Sequence, residues 1–226
     1  MKPLLPQGIL VAIEGVDGAG KTTISALLAQ YLGERGIACA LSKEPTGLSY
    51  GRQLRESAKS GRLSVEQELK FFLKDRIDHA GRSIRPALEY GAVVILDRYY
   101  WSTAAYQGAR GIDPFEIIAQ NEARVPRPDL ILLLDVDPAA GLNRVRIRGD
   151  IPNEFEKVQA LSEARAIFNQ LHERHPEFSV RLDASASLRD VHSRALAAFL
   201  GKAESLVAQR GLSPADQESV RKLLNA

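Results

Sequence analysis

The sequence predicts an open α/β fold, in which a five-stranded parallel sheet is flanked by helices on both faces. Short apolar runs alternate with longer segments whose apolar residues recur at i, i+3 and i+4 spacing. Several of the short runs are apolar at nearly every position, which is typical of strands that are buried on both sides. Strands and helices that alternate in this order predict parallel strands joined by right-handed crossovers.

Five short apolar runs are the predicted strands, and the amphipathic segments around them are the predicted helices. In chain order, the strands are ILVAIE (9–14), IACALS (37–42), AVVILD (92–97), LILLLDV (130–136) and FSVRLDA (178–184). The helices are expected at 21–36, 50–61, 65–91, 114–124, 138–149 and 155–175. Gly36 and Gly91 occupy positions typical of the glycine that ends a helix.

The C-terminal segment is polar and predicts one further amphipathic helix. SPADQESVRKLLNA (213–226) places Ser213 as the N-cap and Pro214 at the first helical position. A chain of 226 residues fits one large domain with a small appendage. We therefore expect a single domain over residues 1–200 and a helical extension over 201–226.

Composition and charge exclude several classes of protein. Thirty basic and 28 acidic residues leave a net charge of +2, too balanced for binding nucleic acid or an anionic membrane by charge alone. No apolar run approaches the roughly 18 residues that span a bilayer, and MKPLLPQG does not resemble a signal peptide. The single cysteine, Cys39, cannot form an internal disulfide and is expected to be a small buried apolar residue. We expect a cytoplasmic protein without nucleic-acid or membrane partners.

A phosphate-binding motif follows the first predicted strand and opens the first predicted helix. Gly15-x-x-x-x-Gly20-Lys21-Thr22 satisfies the P-loop pattern, which predicts a P-loop NTPase fold that binds ATP or GTP. The backbone N–H groups of such a loop surround the phosphates, Lys21 reaches the β- and γ-phosphates, and Thr22 ligates magnesium. The residues predicted to hold the nucleotide are Gly15, Val16, Asp17, Gly18, Ala19, Gly20, Lys21, Thr22 and Thr23.

Other features narrow the class of P-loop protein. The sequence has no Asn-Lys-x-Asp stretch of the kind that regulatory GTPases use to read the base, and Val16 replaces the early lysine of DNA-partitioning ATPases. Small-molecule kinases remain, whose second substrate lies at the carboxyl ends of the strands. Asp97 and Arg98 fall at such a strand end. As a functional pair, Asp97 would lie near the magnesium and Arg98 would bind a substrate phosphate; the alternative is a structural salt bridge.

Seven segments together resemble the thymidylate kinases. They are GVDGAGKTT, KEPTG, GRQLRE, FFLKDR, DRYYWSTAAYQG, PDLILLLDV and RVRIRG, between about residues 8 and 170. The resemblance implies transfer of the γ-phosphoryl group of ATP to dTMP with magnesium, in a homodimer. A kinase of another nucleoside monophosphate, or of several, is the alternative within enzymes. A nucleotide-binding protein without catalytic activity is the alternative outside them, although Lys21, Thr22, Asp97 and Arg98 are all present.

The resemblance also implies which residues bind the phosphate and sugar of dTMP. Asp17 faces away from the ATP phosphates and accepts a hydrogen bond from the 3′-hydroxyl group. Arg98 and Arg55 clamp the acceptor phosphate, although Arg52 lies close to Arg55 in sequence. Tyr106 blocks a ribose 2′-hydroxyl group, and its alternative role is ordinary packing.

The base of dTMP would lie among a second group of residues implied by the resemblance. Phe72 stacks on the thymine ring, with packing in the core beside Phe71 as its alternative. Arg76 donates to O4, unless it is a surface residue. Thr103 reads the N3 and O4 edge, and Gln107 supports the pocket. Pro45 falls where the family has a cis peptide bond.

Catalysis is expected to depend on charge neutralisation, because the acceptor is already an anionic phosphate and needs no general base. In the resembled family, the charge comes from a basic residue in the P-loop or from arginines on a mobile lid. Gly18 leaves the loop without a basic side chain, so we place a lid within the domain at about 144–157. Its PNEFEK segment stands in place of the Asp-Arg-x-Glu that is common in the family, and Phe168 stands in place of a common tyrosine. Among the lid candidates Arg144, Arg146 and Arg148, we favour Arg148, so that the predicted catalytic residues are Lys21, Asp97, Arg98 and Arg148.

Overall fold

The structure, a computed structural model, describes residues 1–147 and 154–225. Its core is a five-stranded, fully parallel sheet with the strand order β2-β3-β1-β4-β5. This architecture confirms the predicted fold class. The strands are β1 (Ile9–Glu14), β2 (Cys39–Lys43), β3 (Val93–Asp97), β4 (Leu130–Asp135) and β5 (Ser179–Asp183).

Helices connect the strands and cover both faces of the sheet. The described helices are α1 (Lys21–Glu34), α2 (Ser49–Ser60), α3 (Val65–His79), α4 (Arg85–Glu89), α5 (Tyr100–Gly108), α6 (Pro114–Glu122), α7 (Pro138–Ile147), α8 (Glu154–Arg174), α9 (Leu188–Gln209) and α10 (Pro214–Asn225). Within these described ranges, no helix combines the length and the apolar character needed to cross a bilayer.

The register of the sheet brings three chain segments to one edge. Ile13 pairs with Asp97, and Asp97 pairs in turn with Lys43. The residues that follow β1, β2 and β3 therefore leave the sheet side by side. Strand β1 lies between β3 and β4, so the connections that leave neighbouring strands at this edge lead to opposite sides of the sheet. Open α/β sheets bind ligands at such a topological switch point.

Every predicted strand is present within two residues of its expected ends, and the largest difference has a local cause. Strand β2 begins at Cys39 rather than at residue 37, because Ile37 forms an isolated parallel bridge with Lys2. The Lys2 amide donates to the Gly36 carbonyl, and the Ala38 amide donates to the Lys2 carbonyl. Strand β2 is a partly exposed edge strand, and Cys39 is half-buried rather than buried.

The helices depart from expectation in three places. The predicted helix 65–91 is interrupted by a π-helical segment, Ala80–Ile84, just ahead of Pro86, whose nitrogen has no hydrogen to donate. Helices α5 and α9 were not among the predicted helices. Helix α9 continues across residue 200, at which we expected the domain to end, and the turn that follows it lies at 210–213.

The C-terminal helix packs against the rest of the domain. Ser213 caps α10 as predicted, since its Oγ accepts from the Asp216 amide at 3.2 Å. Val220 and Leu224 are buried, and the Tyr31 hydroxyl on α1 donates to the Leu224 carbonyl. The extension is therefore part of the packed structure.

Candidate active site

The phosphate-binding loop joins β1 to α1 and is arranged to receive an anion. The ammonium group of Lys21 is buried and donates to the Val16 carbonyl at 2.7 Å. Burial lowers the pKa of Lys21 to about 7, and the positive charge of Arg98 acts in the same direction. The carboxylates of Asp17, Asp97 and Glu14 act in the opposite direction, and a polyphosphate at this position would add further negative charge that favours the protonated lysine.

The loop approaches α7 so closely that residue 18 cannot carry a side chain. Gly18 has a φ of +79°, and a Cβ atom there would lie 2.0 Å from the carbonyl oxygen of Gly141. A Cβ atom at Gly141 would in turn lie 2.5 Å from the carbonyl oxygen of Asp17. This contact gives a steric reason why the loop has no basic residue at position 18.

The hydroxyl group of Thr22 and the carboxylate of Asp97 lie together beside the loop. Thr22 Oγ1 donates to Asp97 Oδ2 at 2.5 Å. Both atoms are hard oxygen donors of the type that magnesium prefers. Magnesium bound beside phosphates takes its other ligands from phosphate oxygens and water, so that one or two oxygen donors from the protein suffice. The residues present therefore fit magnesium.

Arg98 connects the loop to α5 and is held in an unusual backbone conformation. Its φ of +71° makes it the one non-glycine residue with positive φ in the described part of the chain, and its amide donates to the Ile13 carbonyl at 3.0 Å. The guanidinium group forms an ion pair with Asp17 and donates to Ser102 Oγ at 3.1 Å. Such conformations persist where the surrounding structure enforces them, often at functional sites.

Glu14, at the end of β1, fixes the turn that follows Arg98. Its buried carboxylate accepts from the Tyr99 amide at 2.9 Å, from the Ser102 amide at 3.2 Å and from the Ser102 hydroxyl at 2.5 Å. Burial raises the pKa of Glu14 to about 7, against the effect of these hydrogen bonds. One carboxylate therefore ties the start of the phosphate loop to the start of α5.

A cavity of about 630 Å³ opens next to Arg98 and is lined by most of the predicted substrate residues. Asp17 also lines the small polar cavity over the phosphate loop, so that its carboxylate lies between the two spaces. Arg55 is the exception among the predicted residues. The predicted residues that line the larger cavity are Asp17, Phe72, Arg76, Arg98, Thr103, Tyr106 and Gln107.

Arg55 lies at the rim, one residue away from the cavity. Its exposed guanidinium group donates to the Pro45 carbonyl at 2.7 Å, and Pro45 itself lines the cavity. The Glu44–Pro45 peptide bond is cis, as the resemblance implied. Asp75 holds this segment in place, since its carboxylate accepts from the Thr46 amide at 2.7 Å and from the Gly51 amide at 3.0 Å.

The inner end of the cavity contains the buried Arg76. Its Nε donates to Glu44 at 2.7 Å, Nη1 to Asn121 Oδ1 at 2.6 Å and Nη2 to Thr103 Oγ1 at 3.0 Å. Arg76 is therefore no surface residue. Phe72 stands on the same helix as Arg76, half-buried and facing the cavity rather than within the core cluster.

The mouth of the cavity carries a second charged cluster. The Glu68 carboxylate accepts from Arg62 at 3.1 and 3.2 Å, from Gln107 Nε2 at 2.7 Å and from Arg110. Arg62 lines the cavity although its side chain is 59% exposed. Gln107 is thus connected to the charges at the mouth as well as to the cavity.

Tyr106 forms one wall beneath Arg98. Its ring meets Phe168 edge to face at 6.5 Å between centroids, and the guanidinium carbon of Arg98 lies 5.4 Å from the ring centroid. Burial raises the pKa of the Tyr106 hydroxyl, so that this group stays protonated at neutral pH. Phe168, which departs from the resembled pattern, is a buried packing partner of this wall.

A further cavity, of about 690 Å³, adjoins the phosphate loop on its other side. Arg144 lines it and is held by the Ala184 carbonyl at 3.0 Å, opposite apolar residues that include Leu188 and Val191. Arg146 lies near the end of α7. Arg148 lies outside the described residues, as does the middle of the lid that we expected at about 144–157, namely residues 148–153.

Several residues of the site were missed from the sequence. Glu14 and Glu44 each stand at or just beyond the end of a predicted strand, next to a quoted motif, and that position was a usable signal. Asn121 carries no local signal, because α6 reaches Arg76 only through the tertiary fold. Asp75 and His79 likewise acquire their roles from contacts that are distant in sequence, with Thr46 and Glu44 respectively.

Comparisons with known proteins agree with this geometry. The family model described as thymidylate kinase matches residues 13–195. A thymidylate kinase of Xanthomonas campestris pv. campestris (strain B100) is 49% identical over 198 residues, which are 87% of this chain and 86% of that protein. One from Xylella fastidiosa (strain M12) is 48% identical over 193 residues, 85% of this chain and 87% of the relative. The crystal structure of thymidylate kinase from Ehrlichia chaffeensis superposes with a TM-score of 0.71 at 29% identity, covering 86% of this chain and 99% of the other.

Proposed function

The chain belongs to the thymidylate kinase family, and we propose that its two large cavities hold ATP and dTMP on opposite sides of the Asp97–Arg98 turn. The protein is a nucleoside monophosphate kinase that transfers the γ-phosphoryl group of ATP to dTMP, giving ADP and dTDP. The observation that carries the assignment of the sites is the position of Arg98. Its guanidinium group reaches the loop residue Asp17 and the α5 residue Ser102, between the phosphate loop and the cavity of Arg76.

The donor nucleotide lies along the phosphate loop. The loop amides and Lys21 surround the β- and γ-phosphates, and the base enters the cavity beside Arg144. A guanidinium group held at one edge by the Ala184 carbonyl can stack on a purine over the apolar floor formed by Leu188 and Val191.

Thr22 and Asp97 would hold magnesium against the donor phosphates. The ion supplies neutralisation of the phosphate charge when it is bound. The Thr22 side chain already donates to Asp97, which keeps both oxygens on the face of the loop that the phosphates occupy.

The acceptor occupies the cavity lined by Arg98 and Arg76, with its base toward Arg76. Phe72 provides a face for the thymine ring, and Arg76 has only donors to offer to the O4 carbonyl. Thr103 lies beside Arg76 at the same edge. Asp17 takes the 3′-hydroxyl group, and the wall formed by Tyr106 leaves no room for a 2′-hydroxyl group. Gln107 supports the pocket from the side of Glu68.

Transfer needs alignment and charge neutralisation rather than proton removal. A phosphate oxygen of dTMP attacks the γ-phosphorus, and the bond between that phosphorus and the bridging oxygen of ADP breaks. Arg98, with Arg55 from the rim, holds the acceptor phosphate. Lys21 and the lid residue Arg148 neutralise the charge on the group in transfer.

The chain also forms a homodimer in this proposal, in the cytoplasm. Apolar side chains are exposed on neighbouring surfaces of the described structure. Leu41 on the edge strand β2 is 49% exposed, and Ile77 on α3 is 41% exposed. Sedimentation equilibrium measures the mass directly, and Ile77→Glu is expected to shift the protein toward monomer.

The test of the proposed function is a substrate panel with ATP as donor. The purified chain is incubated with dTMP, dUMP, dCMP, dGMP or UMP, and formation of the diphosphate and of ADP is followed. We expect the highest kcat/KM for dTMP. Equal use of all five acceptors would replace the proposal with a general monophosphate kinase. ADP release that does not depend on any acceptor would contradict it.

A further inference from the structure

Arg76 is anchored by three separate elements before any nucleotide binds. Its side chain is 1% exposed, so the guanidinium charge is removed from water and needs partners. Glu44 follows β2, Thr103 lies on α5 and Asn121 lies on α6, and each accepts one of its N–H groups. A guanidinium group has five N–H groups, so two are without a described partner, one on each terminal nitrogen.

Asn121 can face Arg76 in one orientation only. Its Nδ2 donates to the Ile117 carbonyl at 2.7 Å, and its Oδ1 accepts from Arg76. Arginine has no acceptor, so a flipped amide would set two donors against each other and the amide oxygen against a carbonyl oxygen. The α6 backbone therefore fixes the amide, and the amide fixes one terminal nitrogen of Arg76.

His79 supports the opposite side of Arg76 through Glu44. Its Nδ1 lies 3.0 Å from Glu44 Oε1, while Glu44 Oε2 receives the Arg76 Nε at 2.7 Å. Its Nε2 lies 2.9 Å from Ser42 Oγ on β2. Glu44 and His79 are both buried, so the carboxylate is held at both oxygens by partners that are shielded from bulk solvent.

We propose that Asn121 and His79 are positioning residues that set the base selectivity of the enzyme, by fixing the guanidinium group of Arg76 without touching the nucleotide. This inference rests on the proposed acceptor site. Neither residue lines the acceptor cavity, whereas Arg76 does.

The chemistry concerns position 4 of the pyrimidine. Uracil and thymine carry a carbonyl group there, which accepts from arginine, and cytosine carries an amino group, which donates and would meet a second donor. Cytosine is rejected only if the guanidinium group is held in place. If the group could turn away, or if a water molecule could enter and accept from the amino group, the clash between the two donors would be relieved. Removing either support lets Arg76 move, so that discrimination weakens at this position of the base alone.

The pair dUMP and dCMP tests this edge of the ring, because neither base carries the 5-methyl group and the two bases differ only at N3 and at position 4. In Asn121→Ala and His79→Ala, the ratio of kcat/KM for dUMP to that for dCMP is expected to fall at least about tenfold, the equivalent of one lost hydrogen bond to a charged group. The ratio for dTMP to dUMP, which reports the methyl group, is expected to stay constant. The KM for ATP is also expected to stay constant.

Conservative variants separate positioning from general packing. His79→Asn keeps a donor for Glu44 and is expected to restore most of the dUMP to dCMP ratio, whereas His79→Ala is not. Asn121→Ser keeps a small polar group. It replaces Asn121→Ala in the test if the alanine variant is unfolded at the assay temperature. His172→Ala is the matched control, because His172 also pairs with a serine hydroxyl, Ser179 Oγ at 2.8 Å, but on α8 and away from the cavity.

The inference is overturned if folded Asn121 and His79 variants keep the wild-type dUMP to dCMP ratio. It is also overturned if both ratios and the KM for ATP change together, as general damage would cause, or if His172→Ala has the same effect. Failure of the proposed function looks different, because wild-type protein would then not prefer dTMP. Calorimetric binding of dUMP and dCMP gives the same ratio independently of turnover.

Discussion

The phosphate loop and the cavity proposed for the acceptor are built in different ways. The loop is one run of consecutive residues, Gly15 to Thr23, which works through backbone amides, close backbone contacts and one buried lysine. The acceptor cavity gathers side chains from residues 17 to 107, held by ion pairs and hydrogen bonds across the fold. The loop should therefore be most sensitive to changes of backbone shape, and the cavity to the loss of a single polar partner.

The largest expected effect tests the loop as a backbone device. Gly18→Ala adds one carbon atom, which would lie 2.0 Å from the Gly141 carbonyl oxygen at a φ of +79°. We expect kcat/KM to fall by about a thousandfold. Misplacement of the phosphates contributes a factor of roughly a hundred, and the strained conformation contributes a further factor of roughly ten. Steady-state kinetics with dTMP and ATP measure the loss.

Gly33→Ala on α1 is the matched control, because a Cβ atom there meets nothing within 4 Å. It is expected to leave kcat/KM unchanged. If Gly18→Ala stays active, α7 can move away from the loop, and the contact between the loop and the base of the lid is not a constraint.

Glu14 connects the two regions, since it directly precedes the loop and accepts from the amides of Tyr99 and Ser102 beside the cavity, and its effect appears in stability. With a folded pKa of about 7 against an ordinary 4.5, its protonated form contributes stability that is complete below pH 4.5 and lost as the pH rises through 7. Glu14→Gln has the same shape and cannot ionise. The unfolding free energy of the variant minus that of wild type should therefore increase by about 2–3 kcal/mol as the pH is raised from 4.5 to 8.5.

Urea denaturation at pH 4.5, 7 and 8.5 measures this difference. A difference that is constant over the three pH values would show that the pKa of Glu14 is the same in the folded and the unfolded protein, so that its carboxyl group is ionised at neutral pH. The link between the loop and α5 would then depend on a charge rather than on a protonated carboxyl group.

The arginines of the expected lid extend the comparison, because they follow both the loop and the cavity residues in the sequence. Arg148→Ala is expected to lower kcat at least about a hundredfold, roughly 2.7 kcal/mol of transition-state stabilisation, with little change in the KM for dTMP. Arg144 is held by the Ala184 carbonyl in the donor cavity, so Arg144→Ala should instead raise the KM for ATP. Normal kcat in Arg148→Ala, with a loss in Arg146→Ala, would move the catalytic charge to Arg146.

Asp17 tests whether a residue within the loop sequence can serve the acceptor. Asp17→Ala is expected to lower kcat/KM for dTMP about tenfold to a hundredfold, from loss of a hydrogen bond to a charged group and of the ion pair that places Arg98. Binding of ATP should change far less. Equal weakening for both nucleotides would assign Asp17 to the donor site.

The same contrast explains what the sequence could predict. The alternation of strands and helices predicted the sheet, and nine consecutive residues predicted the loop, because both signals are local. The acceptor residues came from a resemblance between motifs. Asn121 and His79 could not be found in this way, because they reach Arg76 through tertiary contacts 45 residues away and through an intervening glutamate. The steric conflict between Gly18 and Gly141 also depends on two segments 123 residues apart, whose distance no local pattern contains.

The smallest expected effect concerns Tyr106, where the cavity wall acts by bulk rather than by a polar contact. Its ring is fixed between Phe168 and the guanidinium group of Arg98, at 6.5 Å and 5.4 Å from the ring centroid. Tyr106→Ala should bring the kcat/KM values for dTMP and its ribose counterpart closer together by up to about tenfold, since removing a clash relaxes selectivity without adding affinity. Tyr106→Phe keeps the bulk and should leave the ratio unchanged. Phe168→Ala is the control, because it removes the packing partner of the ring but leaves the ring in place. A change of the ratio in Tyr106→Ala but not in Phe168→Ala would identify the ring of Tyr106 as the barrier. An unchanged ratio in Tyr106→Ala would leave Tyr106 with a packing role only.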